Sequence, residues 1–167
     1  MIFVTVGTNE ARFDRLLLGI RDFPEDEEII VQHGPSPVRP RNATHRESLP
    51  FDRLVGEVRR ARVVVTHAGV GSIMVCLANG HRPIVVPRRH RHGEAVDDHQ
   101  IPLAERLGAA GLVTVVDDPG DLALAVRAAG PLPVGAARSA SRLATDLGAF
   151  LEERIARRRP GERPERR

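Results

Sequence analysis

The chain has 167 residues, 41% of them apolar, which suits one domain with a genuine core built from Val, Leu, Ile and Ala, because it holds five Phe and no Trp or Tyr. All 25 basic residues are Arg, and the net charge of +3 is unevenly placed: residues 154–167 carry seven Arg and two Glu, so the rest of the chain is slightly negative. That distribution argues against a nucleic-acid partner for the body of the protein, and the single cysteine, Cys76, excludes an internal disulfide.

A charge-dense end buries too little apolar surface to order itself. The expected organisation is therefore a domain over residues 1–153 and a basic, solvated tail over 154–167. The tail can also make peripheral contact with an anionic membrane surface. The opening MIFVTVGT has no basic stretch ahead of its short apolar run, unlike a signal peptide. No segment approaches the ~20 apolar residues of a membrane span. The expected location is cytoplasmic, with any membrane contact peripheral on the inner face.

Ile2 to Val6 reads as a strand ending in Gly7-Thr8-Asn9. Phe13, Leu16, Leu17 and Ile20 follow at helical spacing. Glu28 to Gln32 reads as a second strand, residues 33–41 as a Pro-rich loop, and Ala43 to Arg46 as a short strand. A helix over Pro50 to Arg60 precedes the strand Arg62 to Thr66. The helix that comes next runs to Ala78 and stops at Asn79-Gly80. Pro83 to Val86 is a strand, 87–97 a charged loop, Gln100 to Leu107 a helix ending at Gly108, and Leu112 to Val116 the last strand. Helices are expected over 121–129 and about 136–158.

Strands alternate with helices and several are unbroken apolar runs. This predicts an α/β fold: one Rossmann-like, doubly wound, mostly parallel sheet of about six strands. Such sheets bind ligands beyond the carboxyl ends of their strands. Function is therefore sought in three loops: Gly7–Glu10, His67–Ser72 and Pro87–Gln100.

In Thr66-His67-Ala68-Gly69-Val70-Gly71-Ser72, glycines let the backbone approach an anion, and a helix N-terminus beyond them supplies free N–H groups and a positive dipole end. Ser72 can cap that helix or donate to a phosphate. The same residues also suit a plain tight turn, and the dinucleotide pattern GxGxxG is absent. Gly7-Thr8 is a second small turn at a strand tip. In the third loop Arg88 can neutralise phosphate, and Asp98, His99 and Gln100 open a helix from which they can meet a polar ligand. His90, His92, Glu94, Asp97 and His99 are metal-ligand types, but they lack the paired spacing of zinc sites, so no metal is expected.

Three stretches, MIFVTVGTNEARFDRLL, VVVTHAGVGSI and PIVVPRRHRHGEAVDDHQIPLAERL, together resemble the C-terminal domain of family 28 glycosyltransferases over residues 1–115. The resemblance is closer still to single-domain subunits of the PssE/EpsE/Alg13 type. It implies the C-terminal, donor-binding half of a GT-B fold, in a two-chain inverting enzyme of exopolysaccharide or other glycan synthesis. It implies a UDP-linked sugar as donor, no cofactor, and a membrane-anchored Alg14/PssD-like partner that binds the acceptor. His67, Gly69, Gly71 and Ser72 would surround the diphosphate, with Gly7 and Thr8 opposite and an Arg such as Arg88 assisting. Asp98, His99 and Gln100 would meet the sugar. His67 and Glu94 are the candidate general bases in this chain, and a base from the partner is the third option. Val75 stands where many relatives carry a Glu for the ribose. The rival reading is a nucleotide-sugar-binding regulatory module with no reaction of its own.

Overall fold

The computed structural model describes residues 1–23 and 26–130. Six strands form one parallel sheet: β1 (Ile2–Thr5), β2 (Ile29–Gln32), β3 (Thr44–Arg46), β4 (Val63–His67), β5 (Ile84–Val86) and β6 (Thr114–Val115). Five helices connect or follow them: α1 (Asp14–Leu18), α2 (Phe51–Arg60), α3 (Val70–Ala78), α4 (Gln100–Ala109) and α5 (Leu122–Ala128). The strand order is β3-β2-β1-β4-β5-β6. The chain thus winds outward in one direction from β1 and in the other from β4. The crevice between those two strands is the place where a doubly wound sheet takes its ligand.

Both faces of the sheet are covered over β1, β2, β4 and β5, which is why these strands read as mostly apolar runs, while the edge strand β3 is exposed. On one face Ile2, Val4, Val31, Val65 and Ile84 pack with Leu16 and Leu17 of α1 and Leu122 and Val126 of α5. On the other, Phe3, Ile30 and Val64 pack with Val58 of α2 and Cys76 of α3. Cys76 is buried and its thiol is pushed up to about 12 by desolvation, so it is an inert core residue.

Most boundaries fall within a residue of expectation, and two that differ by more have a clear physical cause. Gly108 does not end α4; the helix runs to Ala109 and stops at Gly111, whose φ of +71° lets Leu112 N–H bond back to Leu107 O. The last strand pairs only over Thr114–Val115, because Leu112 and Val113 are spent packing beside Ile73, Leu77 and Ala104. Asn79-Gly80 ends α3 as expected, with Gly80 at φ +78°. The helix expected over 136–158, the tail over 154–167 and the boundary at 153 lie outside the described residues. Among the described residues, no helix is long and apolar enough to cross a membrane.

Candidate functional site

The β1–α1 and β4–α3 turns flank the switch point, since Thr5 and Thr66 are neighbours in the ladder. Helix α3 starts at Val70 with Gly69 at its N-cap and no side-chain cap. Ile73 N–H makes the first intrahelical bond, to Gly69 O. The N–H groups of Val70, Gly71 and Ser72 therefore have no partner within the helix, and they form the positive end of its dipole. Ser72 is not the cap expected from sequence. It lies in the first turn, and its Oγ is 2.9 Å from His67 Nε2.

The three glycines divide into two roles. A Cβ on Gly69 would lie 2.1 Å from His67 Cε1, and one on Gly7 would lie 2.3 Å from His67 Nε2. These two exist to seat the imidazole between them. A Cβ on Gly71 would meet nothing, so only this glycine leaves open room over the helix end. The Gly7 turn is itself held by a buried polar row that crosses the sheet. Thr5 Oγ1 bonds Gln32 Oε1 and accepts from Gly7 N–H, while Gln32 Nε2 donates to Gly7 O. Thr8 is exposed beyond it.

Burial, then the charge of Arg88, drives the His67 pKa down to about 4, so the ring is neutral near pH 7. Its Nδ1 is buried without a partner. A proton on Nε2 leaves no buried donor unsatisfied, and this tautomer donates to Ser72 Oγ, freeing the Ser72 hydroxyl proton for a ligand. A pH dependence follows. Above the ordinary value of 6.5 the ring is neutral whether folded or unfolded. Below it the unfolded chain takes up a proton that the folded chain refuses until about pH 4. Stability therefore falls as pH drops through that window and levels off beneath it. His33 and His81 are shifted the same way by burial. The contribution of His67 is therefore the difference from His67→Gln, whose urea midpoint should fall less steeply between pH 6.5 and 4.

The β5–α4 loop corrects three expectations. Arg88 does not reach outward to a phosphate. It is fully buried: Nη1 bonds the carbonyls of Ala11, Arg12 and Glu94, Nη2 bonds Val6 O, and Cζ lies 4.5 Å from the centre of the Phe13 ring. Glu94 is no free base. It is 3% exposed, forked to Arg15 Nε and Nη2 at 2.9 Å each, and accepts from Arg89 N–H. Gln100 turns inward, its Oε1 accepting from Arg88 N–H. Asp98 and His99 stay exposed at the start of α4: Asp98 accepts from His90 N–H, and His99 pairs with Asp97.

Sequence reasoning missed Arg15, Thr5 and Gln32. Arg15 gave no signal, being one more Arg on the polar side of a helix, yet it also donates to Pro87 O and Asp117 O. A polar residue closing each of two apolar strands was the available hint for Thr5 and Gln32. Between the β1–α1 and β5–α4 loops the surface opens into a groove of about 550 Å³ lined by Glu10, Arg12, Asp14, Arg15, His92 and Glu94.

The profile of the glycosyltransferase family 28 C-terminal domain matches residues 1–129. The chain belongs to this family. A 56-residue stretch is 43% identical to the UDP-N-acetylglucosamine transferase subunit ALG13 of Yarrowia lipolytica, covering 34% of this chain and 26% of that protein. Among solved structures, the glycotransferase of kitacinnamycin superposes with a TM-score of 0.60 at 21% identity, covering 92% of this chain and 43% of the other. MurG of Acinetobacter baumannii gives 0.58 at 16% identity, with 90% and 49% covered. These likenesses establish the fold of the family 28 domain as the Rossmann-like, C-terminal half of a GT-B architecture. The domain spans about a quarter of the curated relative and under half of the solved ones.

Proposed function

We propose that this chain is the donor-binding subunit of an inverting glycosyltransferase. It takes a UDP-linked sugar and works with a separate, membrane-anchored subunit that binds the acceptor, in exopolysaccharide or other glycan synthesis. One observation carries the reading. The uncapped N-terminus of α3, with Ser72 oriented by a neutral His67, stands beside the Gly7 turn at the switch point of the sheet. Family membership and a relative named as a transferase subunit support it.

In this proposal the diphosphate sits over Gly71, where three backbone N–H groups and the Ser72 hydroxyl receive the negative charge that develops as the leaving group departs. His67 sets the direction of the Ser72 hydroxyl. An imidazole with a pKa of about 4 is a poor proton acceptor at pH 7, and Glu94 is held by Arg15, so the base that deprotonates the acceptor belongs to the partner side. Asp98 and His99, exposed at the rim, contact the sugar. Thr8 lines the opposite side.

Calorimetry with UDP-sugars, followed by a transfer assay of the chain with its partner, tests this. His67→Ala is expected to lower transfer by at least tenfold, with the circular dichroism spectrum unchanged. Undiminished transfer would remove His67 from the site. Binding without turnover under every pairing would make the chain a regulatory module instead.

A further inference from the structure

A second basic feature lies away from the ligand crevice. Arg21 sits in the 3₁₀ turn Gly19–Asp22 that closes α1 and leads back toward the start of β2. Residues 39–42 lead into the start of β3, whose first residue, Thr44, pairs with Ile30 near the start of β2. The two segments thus meet toward the amino-terminal edge of the sheet, opposite the edge that carries His67. They enclose a groove of about 490 Å³ lined by Arg21, Arg39, Pro40, Arg41 and Asn42.

Among the described residues no carboxylate lines this groove, and none of the three arginines forms an ion pair. The loop that presents two of them is firmly built. Pro35, Pro37 and Pro40 restrict its backbone. His45 Nε2 bonds Pro40 O at 2.8 Å, Ser36 Oγ accepts from Phe13 N–H, and Arg39 Nη1 donates to Ser36 O and Val38 O. Arg39 is therefore anchored through one nitrogen and keeps Nη2 and Nε for another acceptor. Asn42, half-buried, adds an amide donor. A concave surface with two arginines on a rigid loop and a third from the facing 3₁₀ turn supplies several donors suited to phosphate oxygens.

We propose that Arg21, Arg39, Arg41 and Asn42 form an oxyanion site for a phosphate-bearing ligand, separate from the sugar-nucleotide crevice. The phosphate is either that of a soluble phosphoanion or that of an anionic lipid headgroup.

The test reads the site directly, so it does not depend on the proposed transferase function. Pyrophosphate is titrated into the ¹⁵N-labelled full chain, and the amides of Arg21, Arg39, Arg41 and Asn42 are followed. A soluble-anion site gives saturable shifts at these residues, weakened at least tenfold in Arg39→Gln/Arg41→Gln. In parallel, the full chain is sedimented with phosphatidylcholine vesicles with and without phosphatidylglycerol. A headgroup site gives phosphatidylglycerol-dependent binding that the double variant weakens at least tenfold although the C-terminal arginines are intact. If pyrophosphate leaves these amides unmoved and the variant sediments like the unaltered chain, the proposal is overturned.

Discussion

Replacing Arg88 with Met should destabilise the folded chain by about 3–5 kcal/mol, a loss comparable to breaking a buried charge network elsewhere. The side chain is fully buried and joins four carbonyls that no other residue gathers: Val6 O at the end of β1, Ala11 O and Arg12 O in the following loop, and Glu94 O across the groove. Methionine fills much of the volume over Phe13 but leaves the two buried carbonyls, Val6 O and Glu94 O, desolvated at roughly 1–3 kcal/mol each, while the part-buried carbonyls of Ala11 and Arg12 add less. Burial lowers the Arg88 pKa to about 10, with the Glu94 carboxylate opposing the shift, so the group stays charged at neutral pH. Lysine keeps the charge but cannot span the carbonyls from two nitrogens, so Arg88→Lys should recover less than half of the loss. Exposed Arg91, three residues along, touches only His92, and Arg91→Met should stay within about 0.5 kcal/mol. Urea denaturation of the three variants decides the matter, and equal midpoints for Arg88→Met and Arg91→Met would refute the clasp.

The contrast between Arg88 and Arg91 shows where sequence reading succeeds and where it stops. The alternation of strand and helix locates all six strands, and burial on both faces marks β1, β2, β4 and β5 as apolar runs, whereas the edge strand β3, Thr44-His45-Arg46, carries no such mark. The helix over 100–107 was placed one turn's end short because Gly108 and Gly111 look alike in sequence. Only the second takes the left-handed φ that stops the helix. In the loop 87–100, residue type named the cast but not the direction each side chain takes. Arg88, Glu94 and Gln100 turn inward, whereas Asp98 and His99 remain outside. That choice depends on partners from β1 and α1, some 80 residues earlier, and no local spacing encodes it. Ser72 is similar: its position near a helix start suggests a cap, yet the imidazole of His67 is the nearer partner. A site assembled from three loops is thus legible as a set of loops, while its wiring is tertiary.

Gly69→Ala should destabilise the chain by about 2–3 kcal/mol, and most of that penalty should vanish in a His67→Ala background. The backbone at Gly69 is ordinary extended conformation, φ −80° and ψ 136°, which alanine adopts without strain. The cost is therefore mostly steric, with a smaller part from alanine at the N-cap of α3. The new Cβ would lie 2.1 Å from His67 Cε1 and 2.6 Å from Nδ1, with every close atom belonging to the imidazole. The ring has little room to shift, because it also packs closely against Gly7, where an added Cβ would lie 2.3 Å from Nε2. It must leave its seat, and Nε2 must then abandon Ser72. Once His67 is alanine the clash has no object, and the residual cost should be that of alanine at an N-cap, about 0.5–1 kcal/mol. Gly7→Ala supplies the control. Its φ of +77° disfavours any side chain, so about 1 kcal/mol of its penalty should survive in the His67→Ala background. A double-mutant cycle by urea unfolding, run beside calorimetry with UDP, reads both consequences. Stability and nucleotide affinity should fall together in Gly69→Ala, since one displaced ring causes both. An equal penalty for Gly69→Ala in both backgrounds would mean that the glycine serves the backbone rather than the imidazole, and His67 would then lose the cradle on which its orientation of Ser72 depends.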